Sequence, residues 1–314
     1  MVRRLGGVSL LAMVALVGCG EGTEQQQQQT PGPVAPGKLI ALADGWKVQL
    51  EPFEVPAGTE VMRCTTVEGI PEDALIQKTS SEQGPGGHHV VPFTSPTAKV
   101  GDVKDCTTAS TMGNARFIAP PGFDGAAENL AFRIKKGQPF IIQSHYVNAS
   151  TEAVSVQDSF TVVKAPEGAN PRLVDFFAFT DVAFLLQPGT SELVHTCTMD
   201  KELQILEHFG HLHEYGTHYS LEHSPMGGSF SMLDDMVWEK QYRDDPIRHR
   251  FSANDPLIFR EGDQIRLTCG YNNTKSSTIE FPEEMCVSFM MYLTTADRPG
   301  GFLTCGDGAP EVVD

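Results

Sequence analysis

"KGQPFIIQSHYVN" (136–148) and "EGDQIRLTCGYNN" (261–273) align without a gap, and this pair decides the fold. Gly137 falls on Gly262, Tyr146 on Tyr271 and Asn148 on Asn273. In each, a Gly turn opens an apolar stretch short enough to be one strand. Upstream, "PAGTEVMRC" (56–64) resembles "PGTSELVHTC" (188–197), each a Pro/Gly turn leading into a strand that ends at a cysteine. The matches keep the same order in both halves. They predict an all-β chain of two tandem antiparallel β-sandwiches, jelly-roll-like, with the boundary in "VKAPEGANPRLVD" (163–175). The halves are then residues 39–166 and 167–314. Other short apolar runs between Gly and Pro, such as "GWKVQLEPFEV" and "AVSVQDSFTVV", fit that class, and no long amphipathic pattern competes with it.

The N-terminal region reads differently. Arg3 and Arg4 precede "VSLLAMVALVG", and residues 1–18 have the pattern of a signal peptide, too short to span a bilayer. "LVGC" resembles the bacterial lipoprotein box, which makes Cys19 the expected lipidation site. Gly20 in place of an aspartate points to the outer membrane, on its periplasmic or surface face, rather than the inner one. Residues 19–38, rich in Gln, Pro and Gly, read as a flexible tether. The expected location is therefore the bacterial envelope, with membrane contact through the lipid anchor only.

The formal charge of the whole chain is −17. Removing residues 1–18 takes away two of the 23 basic residues and none of the 40 acids, leaving −19. Such a surface excludes nucleic acid, whose binding relies on Lys and Arg at phosphates. Besides Cys19 there are six cysteines, Cys64, Cys106, Cys197, Cys269, Cys286 and Cys305. An even number in an exported chain predicts three disulfides, among fifteen possible pairings. None of them forms a CxxC, which argues against a zinc ribbon or a thioredoxin-type site.

The ten histidines carry the functional argument. His211 and His213 are two apart, so on a strand both leave one face within reach of one ion. His88 and His89 are adjacent and would point to opposite faces of a regular strand. Joint ligation there requires a twist or bulge, for which "GPGG" (84–87) supplies backbone freedom. His88 precedes His145 by 57 residues, and His211 precedes Gly270, the position aligned with His145, by 59. The expectation is that the histidines lie on corresponding strands of the two halves. The second set is then one ligand short, and Met285, in the expected hairpin partner of 261–273, is the candidate to complete it.

The series of HH, then QxHY, then HxH, then EMC before an aromatic-rich strand resembles the copper type II, ascorbate-dependent monooxygenases. These include the peptidylglycine α-hydroxylating and dopamine β-monooxygenases, and the resemblance spans residues 45–306. It implies two copper ions per chain. One, an electron-transfer copper, is held by His88, His89 and His145. The other, facing O2 and a small-molecule substrate, is held by His211, His213 and Met285, which makes these three the catalytic set. Ascorbate or another one-electron donor is the implied reductant. The implied disulfides are Cys64–Cys106, Cys197–Cys305 and Cys269–Cys286.

Gln143 matches the family and is expected between the centres. His208 and His218 are expected to support ligands, while His195, His223 and His249 are read as structural or exposed. Phe209 stands where peptide-specific members carry an arginine, and Val287 and Phe289 replace an Asn and a Tyr that contact substrate. The pocket is therefore expected to be apolar, favouring an aromatic or other hydrophobic molecule over a C-terminal glycine peptide. The competing reading is a lipid-anchored copper-binding protein for sequestration or delivery, without catalysis.

Overall fold

The computed structural model describes residues 36–95, 97–106, 115–180, 183–281 and 283–294, together with the backbone of 303–305 and 311–312. The signal segment and Cys19 lie outside the described residues. The described chain belongs to one compact unit, and nearly all of its regular secondary structure is strand. Among the described residues the only helix is a short 3-10 turn, Lys240–Arg243.

A twelve-stranded sheet runs through both halves. From the first half it takes Gly37–Ala41, Gly45–Leu50, Ser159–Lys164, Ala74–Glu82 and Leu130–Ile134; from the second, Arg172–Thr180, Val287–Thr294, Leu203–His211 and His249–Arg250. The halves join where Arg172 and Leu173 pair in parallel with Leu130 and Ala131. Each half then adds a smaller sheet. In the first, Val103–Asp105, Thr59–Val67, Phe140–Asn148, Gly87–Thr94 and Arg116–Phe117 follow one another; in the second, Gly189–Thr198, Gln264–Asn273, Gly216–Ser224 and Ser231–Val237.

Apolar side chains from a small sheet and from the large one share a core in each half. Ile142 and Val90 meet Ile76, Val48 and Phe160 in the first, and Leu267 and Leu221 meet Phe177, Ile205 and Met290 in the second. The first core also takes Val174, Phe176, Leu206 and Met291. Their sequence neighbours Phe177, Ile205 and Met290 turn to the other core, because successive side chains on a strand leave opposite faces. These second-half strands are therefore apolar on both sides, which is why "SFMMYL" shows no alternation.

The aligned strands occupy equivalent places. Phe140–Asn148 lies between Thr59–Val67 and Gly87–Thr94, and Gln264–Asn273 lies between Gly189–Thr198 and Gly216–Ser224. Gly137 and Gly262 both take positive φ, 71° and 83°, where a side chain would be strained. Tyr146 and Tyr271 are both fully buried. Asn148 Nδ2 donates to the carbonyls of Val55 and Glu152, and Asn273 Nδ2 to those of Leu186 and Ser277. In both, the amide oxygen accepts the backbone N–H two residues on, from Ser150 and Lys275.

Two expectations need correction. Val287–Thr294 is not a hairpin partner of Gln264–Asn273; it pairs with Arg172–Thr180 and Leu203–His211 in the large sheet. Nor do the histidine motifs lie on corresponding strands. With Tyr146 matched to Tyr271, the cross-strand partners Gly87 and His89 fall on Gly216 and His218, so His88 and His89 correspond to Thr217 and His218. His211 ends the preceding strand instead. The near-equal spacings of 57 and 59 came from different strands. Gly270 stands opposite His218, and a Cβ on it would lie 3.1 Å from the His218 Cβ, which leaves little room for a side chain there.

Candidate metal centre

In the first cluster, His89 pairs with His145 while Gly87 pairs with Tyr146, so His88 is the extra residue of a β-bulge. The bulge that two adjacent ligands require is present, and Gly86 beside it has φ 77°. It brings both rings beside His145, with centroids 5.0 Å away for His88 and 4.8 Å for His89. His145 is buried, and its Nε2 lies 2.7 Å from Glu60 Oε1. With Nε2–H donating to the carboxylate, the lone pair is on Nδ1. That atom is buried without a hydrogen-bond partner among the described residues. Burial, then the neighbouring His89, lowers the His145 pKa to about 4, against the opposing pull of Glu60, so the ring is neutral at pH 7.

Asp244, following the 3-10 turn, reaches this cluster from the second half. Its Oδ2 lies 2.9 Å from His88 Nδ1 and its Oδ1 3.5 Å from His89 Nδ1. His88, His145 and Asp244 each offer a donor atom within 4.8 Å of the others. Burial works against the carboxylate's charge, but hydrogen bonds from His89 and His88 and the charge of Arg243 outweigh it and hold the pKa well below the usual range.

The second cluster forms where Leu203–His211 leaves the large sheet. His211 pairs with Val287, and its Nε2 lies 3.1 Å from His213 Nε2. The His213 Nδ1 lies 3.2 Å from the Glu283 carbonyl oxygen, to which its N–H donates, leaving the lone pair on Nε2. Burial lowers the pKa of His211 well below the ordinary histidine value and that of His213 to about 4. Two neutral imidazoles with facing Nε2 atoms are what one shared ion would hold together.

Met285 is tied to this cluster through its backbone. Glu284, fully buried, accepts from the backbone N–H of Met285 and of His213 on one oxygen, and from Tyr215 N–H at 2.8 Å on the other. Burial raises the Glu284 pKa to about 7 against these three donors. Tyr271 Oη donates to the Met285 carbonyl at 2.7 Å. Cys286 is bonded to Cys269, so this disulfide joins the two sheets of the second half beside Met285. The Cys64–Cys106 bond also forms. Cys197 is disulfide-bonded, while the side chain of Cys305, its expected partner, lies outside the described residues.

Phe289 packs 5.9 Å from the His211 ring, 5.5 Å from Phe209 and 5.3 Å from Phe117 of the first half. With buried Val287 alongside, one side of His211 is apolar. Arg248 lies over Phe209, 4.5 Å from the ring centroid, with Nη1 donating to Glu207. Gln143 directs its amide to Cys106 Sγ at 3.8 Å. His208 stacks on His249, whereas His218 pairs with Asp235 at 2.7 Å and His223 with Asp263 at 2.9 Å. Arg243 and Asp244 influence His211 and His213 as well as the first cluster, so one ion pair is within electrostatic reach of both.

Sequence reasoning missed Asp244, Glu60 and the role of Glu284. The acids of "EEMC" were visible, but nothing marked one carboxylate as buried; Asp244, in "YRDDP", carries no signal at all.

Residues 180–306 match the family model for copper type II ascorbate-dependent monooxygenase, C-terminal domain. The match takes in His211, His213 and Met285, and it leaves His88, His89 and His145 outside. No curated protein matches the chain. Among solved structures, the chain is 12% identical to a triple jelly-roll protein of an archaeal virus, covering 79% of this chain and 55% of that one, with a TM-score of 0.25. It is 12% identical to the major capsid protein P2 of bacteriophage PM2, covering 82% of this chain and 96% of that one, with a TM-score of 0.29. Likenesses at these TM-scores carry no argument.

Proposed function

We propose that the chain is a copper-dependent monooxygenase that hydroxylates an activated C–H bond of a small apolar or aromatic molecule, using O2 and an external one-electron donor such as ascorbate. The observation that carries this reading is the presence of two separate histidine clusters, with the His88 and His89 rings 5.0 and 4.8 Å from His145 in one and His211 facing His213 in the other. In the first, His145 Nδ1 is an orphaned buried acceptor; in the second, two Nε2 atoms face each other at 3.1 Å. The donors suit copper: imidazole accepts either oxidation state, and a thioether favours Cu(I). His88, His89 and His145 would hold one ion, and His211, His213 and Met285 the other. When bound, copper supplies one-electron chemistry and, at the thioether-bearing centre, a reduced ion suited to dioxygen.

The protein's own contribution is positioning. Glu60 and the Glu283 carbonyl fix the tautomers of His145 and His213, and Glu284 ties the backbone of His213 to that of Met285. Phe209, Val287 and Phe289 exclude water around His211 and favour an apolar substrate.

The test pairs copper stoichiometry with oxygen consumption under ascorbate and a panel of phenethyl compounds. Two coppers per chain and substrate-dependent uptake are expected; one copper or none would refute the two-centre reading. Two coppers without uptake across the panel would favour a copper-binding role without catalysis. Met285→Ile should keep the three-histidine copper and abolish turnover, and an active variant would remove Met285 from its role.

A further inference from the structure

Among the described residues, Asp244 is the carboxylate that meets the proposed three-histidine centre from the opposite half of the chain. We propose that Asp244 is a fourth ligand of that centre, an oxygen donor that completes it only when the two halves are joined. This rests on the reading that His88, His89 and His145 hold copper.

Distances carry the argument. Two atoms bound to one ion at about 2.0–2.1 Å stand roughly 2.9 Å apart at a right angle and about 3.3 Å apart at a tetrahedral one. Asp244 Oδ2 lies 2.9 Å from His88 Nδ1 and Oδ1 3.5 Å from His89 Nδ1, as hydrogen bonds whose protons a bound ion would displace at ligand spacing. The third nitrogen, His145 Nδ1, belongs to the ring lying 5.0 and 4.8 Å from those two, and it has no hydrogen-bond partner among the described residues. The carboxylate is held in place rather than trailing from a loop. It terminates the 3-10 turn, its backbone N–H donates to the Gln241 carbonyl, and Arg243 Nε lies 3.3 Å from Oδ2.

Charge points the same way. Imidazole ligands bring no charge to a divalent ion in a partly buried site, and a carboxylate offsets part of the ion's charge. As a hard oxygen donor it favours Cu(II), whereas the thioether of the other centre favours Cu(I). The two centres would then hold opposite preferences, set by one residue each.

The experiment uses the mature full chain, with Cu(II) and Cu(I) as the probes. Affinities come from competition with chelators, the Cu(II) environment from EPR, and the fold from near-UV circular dichroism. Asp244→Asn should still bind two coppers, with Cu(II) affinity at one centre reduced by about 10–100-fold. The EPR parameters of that ion should change, and Cu(I) affinity should change by less than about threefold. The potential of the centre rises by about 59 mV for each tenfold difference between the two losses. Asp244→Glu, which keeps the oxygens, should recover part of the Cu(II) affinity.

His145→Ala separates the two ideas. If it loses one copper while Asp244→Asn keeps wild-type Cu(II) affinity and spectrum, the fourth-ligand assignment is overturned and the three-histidine centre stands. If His145→Ala keeps both coppers, the centre itself falls and Asp244 with it. Should Asp244→Asn unfold the chain, Asp244→Glu decides, since moving a bound oxygen by one methylene must alter the spectrum and an unaltered one overturns the assignment.

Discussion

His208 shows what burial does to an imidazole that belongs to neither cluster. It is fully enclosed, stacks 4.8 Å from His249 and 5.9 Å from Phe251, and its Nδ1 has no hydrogen-bond partner among the described residues. Burial, and then the neighbouring His249, lowers its pKa from 6.5 to about 4. Between those values the unfolded chain binds a proton that the folded protein refuses, so this contribution is intact above about pH 6.5 and is lost as pH falls toward 4. The loss amounts to at most about 3 kcal/mol. His208→Phe preserves the stacking and removes the titration. In urea unfolding of the copper-free protein, the drop in stability from pH 7 to pH 4.5 should be smaller in the variant than in the wild type; an equal drop would contradict this account. At this scale the grouping of the histidine motifs was legible because a rare residue type at short spacings stands out. Asp244 and Glu60 were not, because among 40 acids nothing distinguishes the one that turns inward.

At the scale of elements, the strand Leu203–His211 is fixed by a close approach. Gly210 lies against Tyr219, and a Cβ there would come within 2.6 Å of its ring carbons. The ring cannot withdraw, since Tyr219 is fully buried and its hydroxyl donates to Ser288 at 2.9 Å. Gly210→Ala should therefore cost roughly 1–3 kcal/mol. On the proposed reading it should also weaken metal binding at the adjacent His211 cluster while leaving the other cluster unaffected, as read by denaturation and by metal competition. The turn glycines and the Tyr–Asn frame were readable because local backbone geometry demands them. The sheet to which Val287–Thr294 belongs was not, because a strand covered on both faces has no alternation to reveal its neighbours.

Across the whole molecule, a shared sheet and a shared core bind the halves together. The turn between the strands Ser159–Lys164 and Arg172–Thr180 lies in "VKAPEGANPRLVD" and was legible there. The parallel pairing of Leu130 and Ala131 with Arg172 and Leu173 left no trace in the sequence, since it depends on how the two halves lie together. Because Val174, Phe176, Leu206 and Met291 complete the first half's core, neither half can open without exposing the other. Calorimetry should therefore give one transition, with calorimetric and van 't Hoff enthalpies in agreement. Two resolved transitions would show that the halves unfold independently.

The Gly, Tyr and Asn positions repeat between the halves, and the histidine positions do not. Had the ligands been copied along with the strands, they would stand on equivalent rungs; instead Thr217 and His218 occupy the rungs of His88 and His89. The repeated frame therefore fixes where the strands and their turns lie, while the histidine positions are set independently in each half. A change at one histidine cluster thus has no equivalent rung in the other half that must change with it.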